Sequence, residues 1–304
     1  MQIGVVFPQT EIGSDAGAIR EYARAVEAMG YTHISVYDHV VGAHVASRPD
    51  WKGPYTHASM FHEPFVLFSY IAAIAPKIGL STGIVILPQR QTVLVAKQAA
   101  CLDVLSNGRL RLGVGTGWNE VEYEALGVRF ADRGKIYEEQ IEVLRALWSR
   151  EAVTFKTPFH TITDAGINPL PIQRPIPLWM GGGQDSPISG AAASEKVIRR
   201  IARLADGWIA LFQPDDRGRE LHSLFLGFCR EHGRDPKSVG LEGKLNAHRA
   251  GEARWSESVV AWADMGASHL VINTMGDGLV GADQHLSRLE EFRRALPASP
   301  KGKE

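Results

Sequence analysis

The chain has 304 residues, with 33 Lys+Arg against 34 Asp+Glu and a formal net charge of −1, a balance that offers no field to nucleic acid or an anionic membrane. At 44% hydrophobic and 22% charged, with a mean hydropathy of −0.11, it can bury a sizeable core. Wholesale disorder and collagen-like repeats are thereby excluded, and the length allows two ordinary domains or one large α/β barrel. The start, MQIGVVFPQ, lacks the basic and apolar regions of a secretory signal, and no run of about eighteen apolar residues occurs, so a cytoplasmic protein is expected.

Residues 3–7 read as a first strand. In the helix that follows, Ile19, Tyr22, Ala23, Val26 and Met29 recur at helical spacing, with Ser14 or Asp15 as cap and Gly30 as stop. A second strand, 33–37, runs into Asp38 and His39 and then a long loop, 40–62, rich in Gly, Pro, His and aromatic residues. Loops of that length carry function more often than short ones. A helix over 63–75, a strand over 79–86, a helix over 93–105 closed by Asn107-Gly108, and a strand over 109–114 follow, then two helical stretches, the longer at 134–149. Cys101 and Cys229 fall inside helical patterns and read as small buried hydrophobes rather than a disulfide or metal pair.

Residues 152–177 interrupt the rhythm: VTFKTPFHTI has strand character, and the Pro-rich NPLPIQRPIP reads as extended connection, so the segment is taken as an insertion. Alternation then resumes with PLWMG, a helix over 195–204, GWIAL, a helix within 215–232, VGLEGKL, a helix over 256–265, SHLVIN and a last helix near 286–296; 297–304 is a polar tail. Eight strand-helix units of this kind predict an α/β fold, a single (β/α)8 TIM barrel over 1–296 with parallel strands inside and helices outside. Met29-Gly30 before His33 echoes Met265-Gly266 before His269, and barrel logic puts both histidines at the bottom face, where residues serve stability.

Active sites of such barrels lie at the carboxyl ends of the strands. His39 sits just past a strand end and suits proton transfer near neutral pH, with Asp38 either orienting it or facing elsewhere. Gly115, Thr116 and Gly117, and later Gly181, Gly182 and Gly183, allow close backbone approach to a ligand. Ser194, Glu195 and Lys196 open a helix that either receives a phosphate or is simply capped by Ser194. The spacing of Gly113, Gly115 and Gly117 is wrong for a dinucleotide fingerprint. His39, His44, His57 and His62 lack metal-binding spacings, so no metal is expected. Glu120 and Glu122 read as favourable charges at a helix start, not as a glycosidase pair.

With VYDHV at 36–40, the run from Leu80 to Gly127, PIPLWMGGG at 175–183 and RIARLADGW at 200–208, nearly the whole chain resembles the luciferase-like monooxygenase superfamily, in its branch of oxidoreductases dependent on coenzyme F420. The resemblance implies a deazaflavin lying across the carboxyl face and a hydride moved between its C5 carbon and a small organic substrate. The nearest alternative is FMN, in a two-component monooxygenase using reduced flavin and oxygen. The resemblance also implies a bulged third strand with a cis peptide at Gly83-Ile84 behind the ring. It casts His39 as the proton-exchanging group, with Asp38 fixing its tautomer or touching the ring. Gly115, Thr116 and Gly117 would flank the ring, while Gly182, Gly183, Ser194, Glu195 and Lys196 would form the phosphate end. Some deazaflavin dehydrogenases carry a general-acid Glu where this chain has Trp118, and the stretch 184–193 is longer than usual. The loop 40–62, with Trp51 and Tyr55, is expected to act as lid and substrate wall. A homodimer is also expected.

Overall fold

A computed structural model describes residues 1–185, 192–251 and 254–296. The tail 297–304 and the middle of the stretch 184–193 lie outside the described residues. Nine parallel strand segments build the barrel: β1 (Gln2–Val6), β2 (His33–Val36), β3 (Gly79–Thr82), β4 (Val85–Ile86), β5 (Leu110–Gly115), β8 (Leu178–Gly182), β9 (Gly207–Ala210), β10 (Gly240–Asn246) and β11 (His269–Asn273). Their order is β3-β2-β1-β11-β10-β9-β8-β5-β4, and a pairing of β3 with β5 closes the ring. β3 and β4 are two halves of one stave, since Leu80 pairs with Leu110 and Val85 with Val114 on the same strand. Eight staves result, as the alternation predicts. The strand expected over 79–86 is split because the chain bulges at Gly83 and Ile84, and the peptide between them is cis.

Around the barrel run α1 (Ala16–Ala28), α2 (Pro64–Ile74), α3 (Thr92–Leu105), α4 (Glu120–Ala125), α5 (Arg133–Ser149), α6 (Glu195–Leu204), α7 (Asp216–Glu231), α8 (Ala247–Ala250), α9 (Trp255–Asp264) and α10 (Gly281–Ala295). Of the two candidate caps for α1, Asp15 is used: its carboxylate accepts from Ala18 N at 2.9 Å, and Ile19, Tyr22, Ala23 and Val26 face the core. The last helix starts earlier than the spacing of its apolar residues suggests, because its first turns, Ala282 and His285 apart, carry polar residues into solvent. The interruption after α5 is an antiparallel hairpin, β6 (Val153–Lys156) with β7 (Thr161–Ala165), followed by two cis X-Pro bonds at Pro169 and Pro175. Cys229 is buried on α7, but Cys101 on α3 is only half-buried.

The lower barrel is filled by charge rather than hydrocarbon. Arg111 pairs with Glu242 and donates to Ser81 Oγ at 2.9 Å, its guanidinium lies 4.3 Å from the Trp179 ring, and His33 Nε2 stands 3.3 Å from Glu242. Burial alone would raise the Glu242 carboxyl, but Arg111 and His33 outweigh it and bring it down to about 2. His269 is pushed down to about 3 by burial and then by the positive charge of Arg111. Both histidines sit at the start of their strands, so they belong to this lower layer and leave the opposite rim free for ligand chemistry.

Candidate active site

Two residues beyond Tyr37 on the upper rim, His39 is held from one side only. Its Nδ1 lies 2.9 Å from Glu122 Oε1, which also accepts from Val40 N at 3.0 Å, while Glu122 Oε2 accepts from Gln89 Nε2 at 3.3 Å. Glu122 is 1% exposed. Because both of its oxygens already accept from other donors, the shared proton belongs to Nδ1, and Nε2 is the nitrogen left to exchange. Nε2 has no partner among the described residues. The ring is walled by Tyr55, Phe61 and Trp118, with centroids at 4.8, 4.7 and 5.9 Å. The first two come from the loop 40–62. The reading of Glu122 as a charge serving the helix dipole is therefore corrected: its side chain turns inward from α4 to the end of β2.

Asp38 does not orient His39. Its carboxylate receives Arg90 Nη2 and Nε at 2.7 and 3.3 Å and Ile86 N at 3.0 Å, while the third guanidinium nitrogen, Nη1, reaches Glu63 at 2.8 Å. Burial works against the charge on Arg90, but the carboxylates of Asp38 and Glu63 outweigh it and keep the guanidinium charged. Asp38 thus ties the end of β2 to β4 and to the cap of α2. Gln9, fully buried, adds a second tie, donating to Tyr37 O at 2.7 Å and accepting from His62 N at 3.1 Å.

The glycines of the rim make room for apolar side chains. A Cβ on Gly115 would overlap Ile84 Cδ1, one on Gly181 would come within 3.0 Å of Ile84 Cγ2, and one on Gly117, at φ +63°, would meet Ile86 at 2.8 Å. Ile84 therefore lies over β5 and β8 as a partly exposed ridge across the barrel mouth. Beside it stands Tyr37, whose hydroxyl is buried without a partner and whose phenol is pushed up by burial, so it remains a donor. Thr116 contributes its carbonyl to Tyr123 Oη at 2.7 Å. Gly182 and Gly183 pack against Val197 and against Trp208 with Phe212, respectively, and Gly182 O accepts from Trp208 Nε1 at 3.0 Å. Ser194, Glu195 and Lys196 are exposed at the start of α6, and Ser194 makes no side-chain cap bond.

Arg90, Gln9, Tyr37 and Glu122 are the site residues whose roles sequence reasoning missed. Gln9 and Arg90 follow strand ends, which was the available signal, whereas Tyr37 reads from sequence as the last residue of the second strand. Glu122 gave none. Among the described residues no cluster of three His, Cys, Asp or Glu could hold a metal, and no helix is long and apolar enough to cross a membrane.

Comparison with known proteins places this geometry in a family. The sequence profile of the luciferase-like monooxygenases matches residues 1–298. The uncharacterized protein Rv0940c of Mycobacterium tuberculosis is 35% identical over 193 residues, a match that spans 62% of this chain and 62% of that protein, under two thirds of its length. Among solved structures, the monooxygenase RslO1 from Streptomyces bottropensis superposes with a TM-score of 0.74 at 17% identity, covering 97% of this chain and 98% of that one. An F420-dependent secondary alcohol dehydrogenase, held with an F420-acetone adduct, gives 0.72 at 18% identity over 96% and 98%. At such identities the likeness is one of fold.

Proposed function

The chain belongs to the luciferase-like monooxygenase family, and from that premise we propose that it is an F420-dependent oxidoreductase acting on a small organic substrate. The observation that carries the reading is His39, fixed through Nδ1 by buried Glu122 with Nε2 left free at the barrel mouth. Hydride transfer to or from an organic carbon needs a proton partner at the neighbouring heteroatom, and His39 is built as one.

The residues present fit a deazaflavin. Tyr37 offers a buried donor without a partner, Ile84 a ridge for one face of a flat ring, and the uncapped start of α6 an open end for phosphate. When bound, the coenzyme supplies a hydride at its C5 carbon. In this proposal Gly83 and Ile84 back the ring, Gly115, Thr116 and Gly117 border it, and Gly182, Gly183, Ser194, Glu195 and Lys196 hold the phosphate end. His39 moves the proton at Nε2, Glu122 keeps the tautomer, and Asp38 acts as a positioning residue through Arg90. Tyr55 and Phe61 cover the imidazole and exclude water. The test is deazaflavin-dependent turnover that collapses when His39 is replaced; oxygen consumption driven by reduced FMN would instead favour the monooxygenase reading.

The proposal includes a homodimer. α2 and α3 pack side by side and leave Val66, Leu94 and Leu105 at 70%, 51% and 71% exposure, an apolar face suited to a second copy of this chain.

A further inference from the structure

We infer that the cavity beside His39 receives the carbonyl oxygen of an uncharged substrate and that the side-chain amide of Asn119 holds it. This rests on the reading of His39 above and adds the substrate class.

The cavity, about 340 Å³, lies between the end of β2 and the loop 40–62, lined by Val40, Val41, Tyr55 and Phe61 together with His39 and Asn119, and on the loop side by Thr56, His57 and Ser59. Among the described residues no Lys, Arg, Asp or Glu borders it. An anionic substrate would leave water there with no permanent cation to meet it, which is unfavourable. The volume suits a ring-sized molecule.

The loop hydroxyls already accept locally, Ser59 Oγ from Thr56 N at 3.1 Å and Thr56 Oγ1 from Ala58 N at 3.3 Å, and Asn119 supplies the buried contact on the opposite wall. It is 3% exposed, and its Oδ1 accepts from Val121 N at 3.2 Å as the cap of α4. That bond settles which way the amide points, because only the oxygen can accept, so the nitrogen is turned the other way. Nδ2 has no partner among the described residues and is not sealed in the core with the buried unpartnered atoms. A buried side chain that spends its acceptor on the backbone and keeps two donors unused selects an acceptor on its ligand. A carbonyl oxygen accepts and does not donate. On the same cavity, His39 Nε2 also has no partner among the described residues. A ketone bound by Asn119 therefore has its oxygen on the wall from which the proton is exchanged.

The test uses cofactor-free protein and ¹⁵N–¹H spectra recorded with three probes: cyclohexanone, methylenecyclohexane and cyclohexanecarboxylate. The Asn119 side-chain pair is identified by its loss in Asn119→Asp, which keeps the capping acceptor and removes the donor. Cyclohexanone is expected to shift that pair, methylenecyclohexane to leave it in place, and the carboxylate to bind neither form. Asn119→Asp should weaken cyclohexanone by about tenfold or more, with retention of the fold checked by circular dichroism. An Asn119 pair unmoved by cyclohexanone, a pair moved equally by methylenecyclohexane, or equal cyclohexanone affinity in Asn119→Asp would each overturn the inference. Deazaflavin binding is titrated separately on the same proteins. A protein that takes the ketone through Asn119 but not the coenzyme would refute the coenzyme reading alone.

Discussion

Between His39 and Glu122 the proton has one home, Nδ1, and that asymmetry is what makes the other nitrogen useful. Replacing His39 by Ala should lower turnover roughly 100-fold or more and leave coenzyme affinity within about threefold, because the proposed coenzyme contacts are the ridge and the glycine turns rather than the imidazole. Glu122→Gln should lower kcat about tenfold with little change in KM, since the tautomer loosens while the cavity wall stays. Steady-state kinetics of the two variants decide this; wild-type turnover in His39→Ala would remove the role. His39 was legible as a histidine just past a strand end. Its partner was not, because the two residues are 83 positions apart and a Glu in the first turn of a helix already has an ordinary explanation. Asp38 was legible as a site residue but not as the partner of Arg90, 52 positions away. Pairings of this kind are made by closure of the barrel, which local patterning does not encode.

At the scale of the element, two glycines of β5 differ in what crowds them. A Cβ on Gly113 would run into the carbonyl oxygen of Thr82, a backbone atom that cannot move without moving β3, whereas one on Gly115 would meet only the tip of Ile84. Gly113→Ala should therefore destabilise the fold by more than about 3 kcal/mol. Gly115→Ala should fold and instead weaken coenzyme binding about tenfold by displacing the ridge, and Ile84→Val in the same chain should recover part of the loss. Thermal melts and coenzyme titrations distinguish the two; a well-folded Gly113→Ala would contradict the assignment. The rim glycines, Gly115, Gly117 and Gly181, were conspicuous in the sequence, but as ligand contacts. Their packing role emerges only when the bulge of the third stave brings Ile84 across β5 and β8.

For the whole molecule, the strand-helix alternation carried the fold because parallel strands buried on both faces and amphipathic helices leave distinct periodicities. The hairpin of β6 and β7 was visible as a break in that rhythm. The outer face of α2 and α3 was not, since helices apolar all round give no stripe to read. Substituting Glu for both Val66 and Leu94 should convert a dimer to a monomer in sedimentation equilibrium with secondary structure intact; an unchanged mass would place the contact elsewhere, and a monomeric wild type would remove the dimer.

Whether the barrel mouth holds a deazaflavin is decided by equilibrium binding of oxidised F420 and of FMN to the same metal-free protein at one salt concentration, followed by cofactor fluorescence. Saturable F420 binding is expected, with FMN weaker by about tenfold or more. Tight FMN binding with weak F420 binding would contradict it, turn the site toward oxygen chemistry and take from His39 its part in hydride transfer.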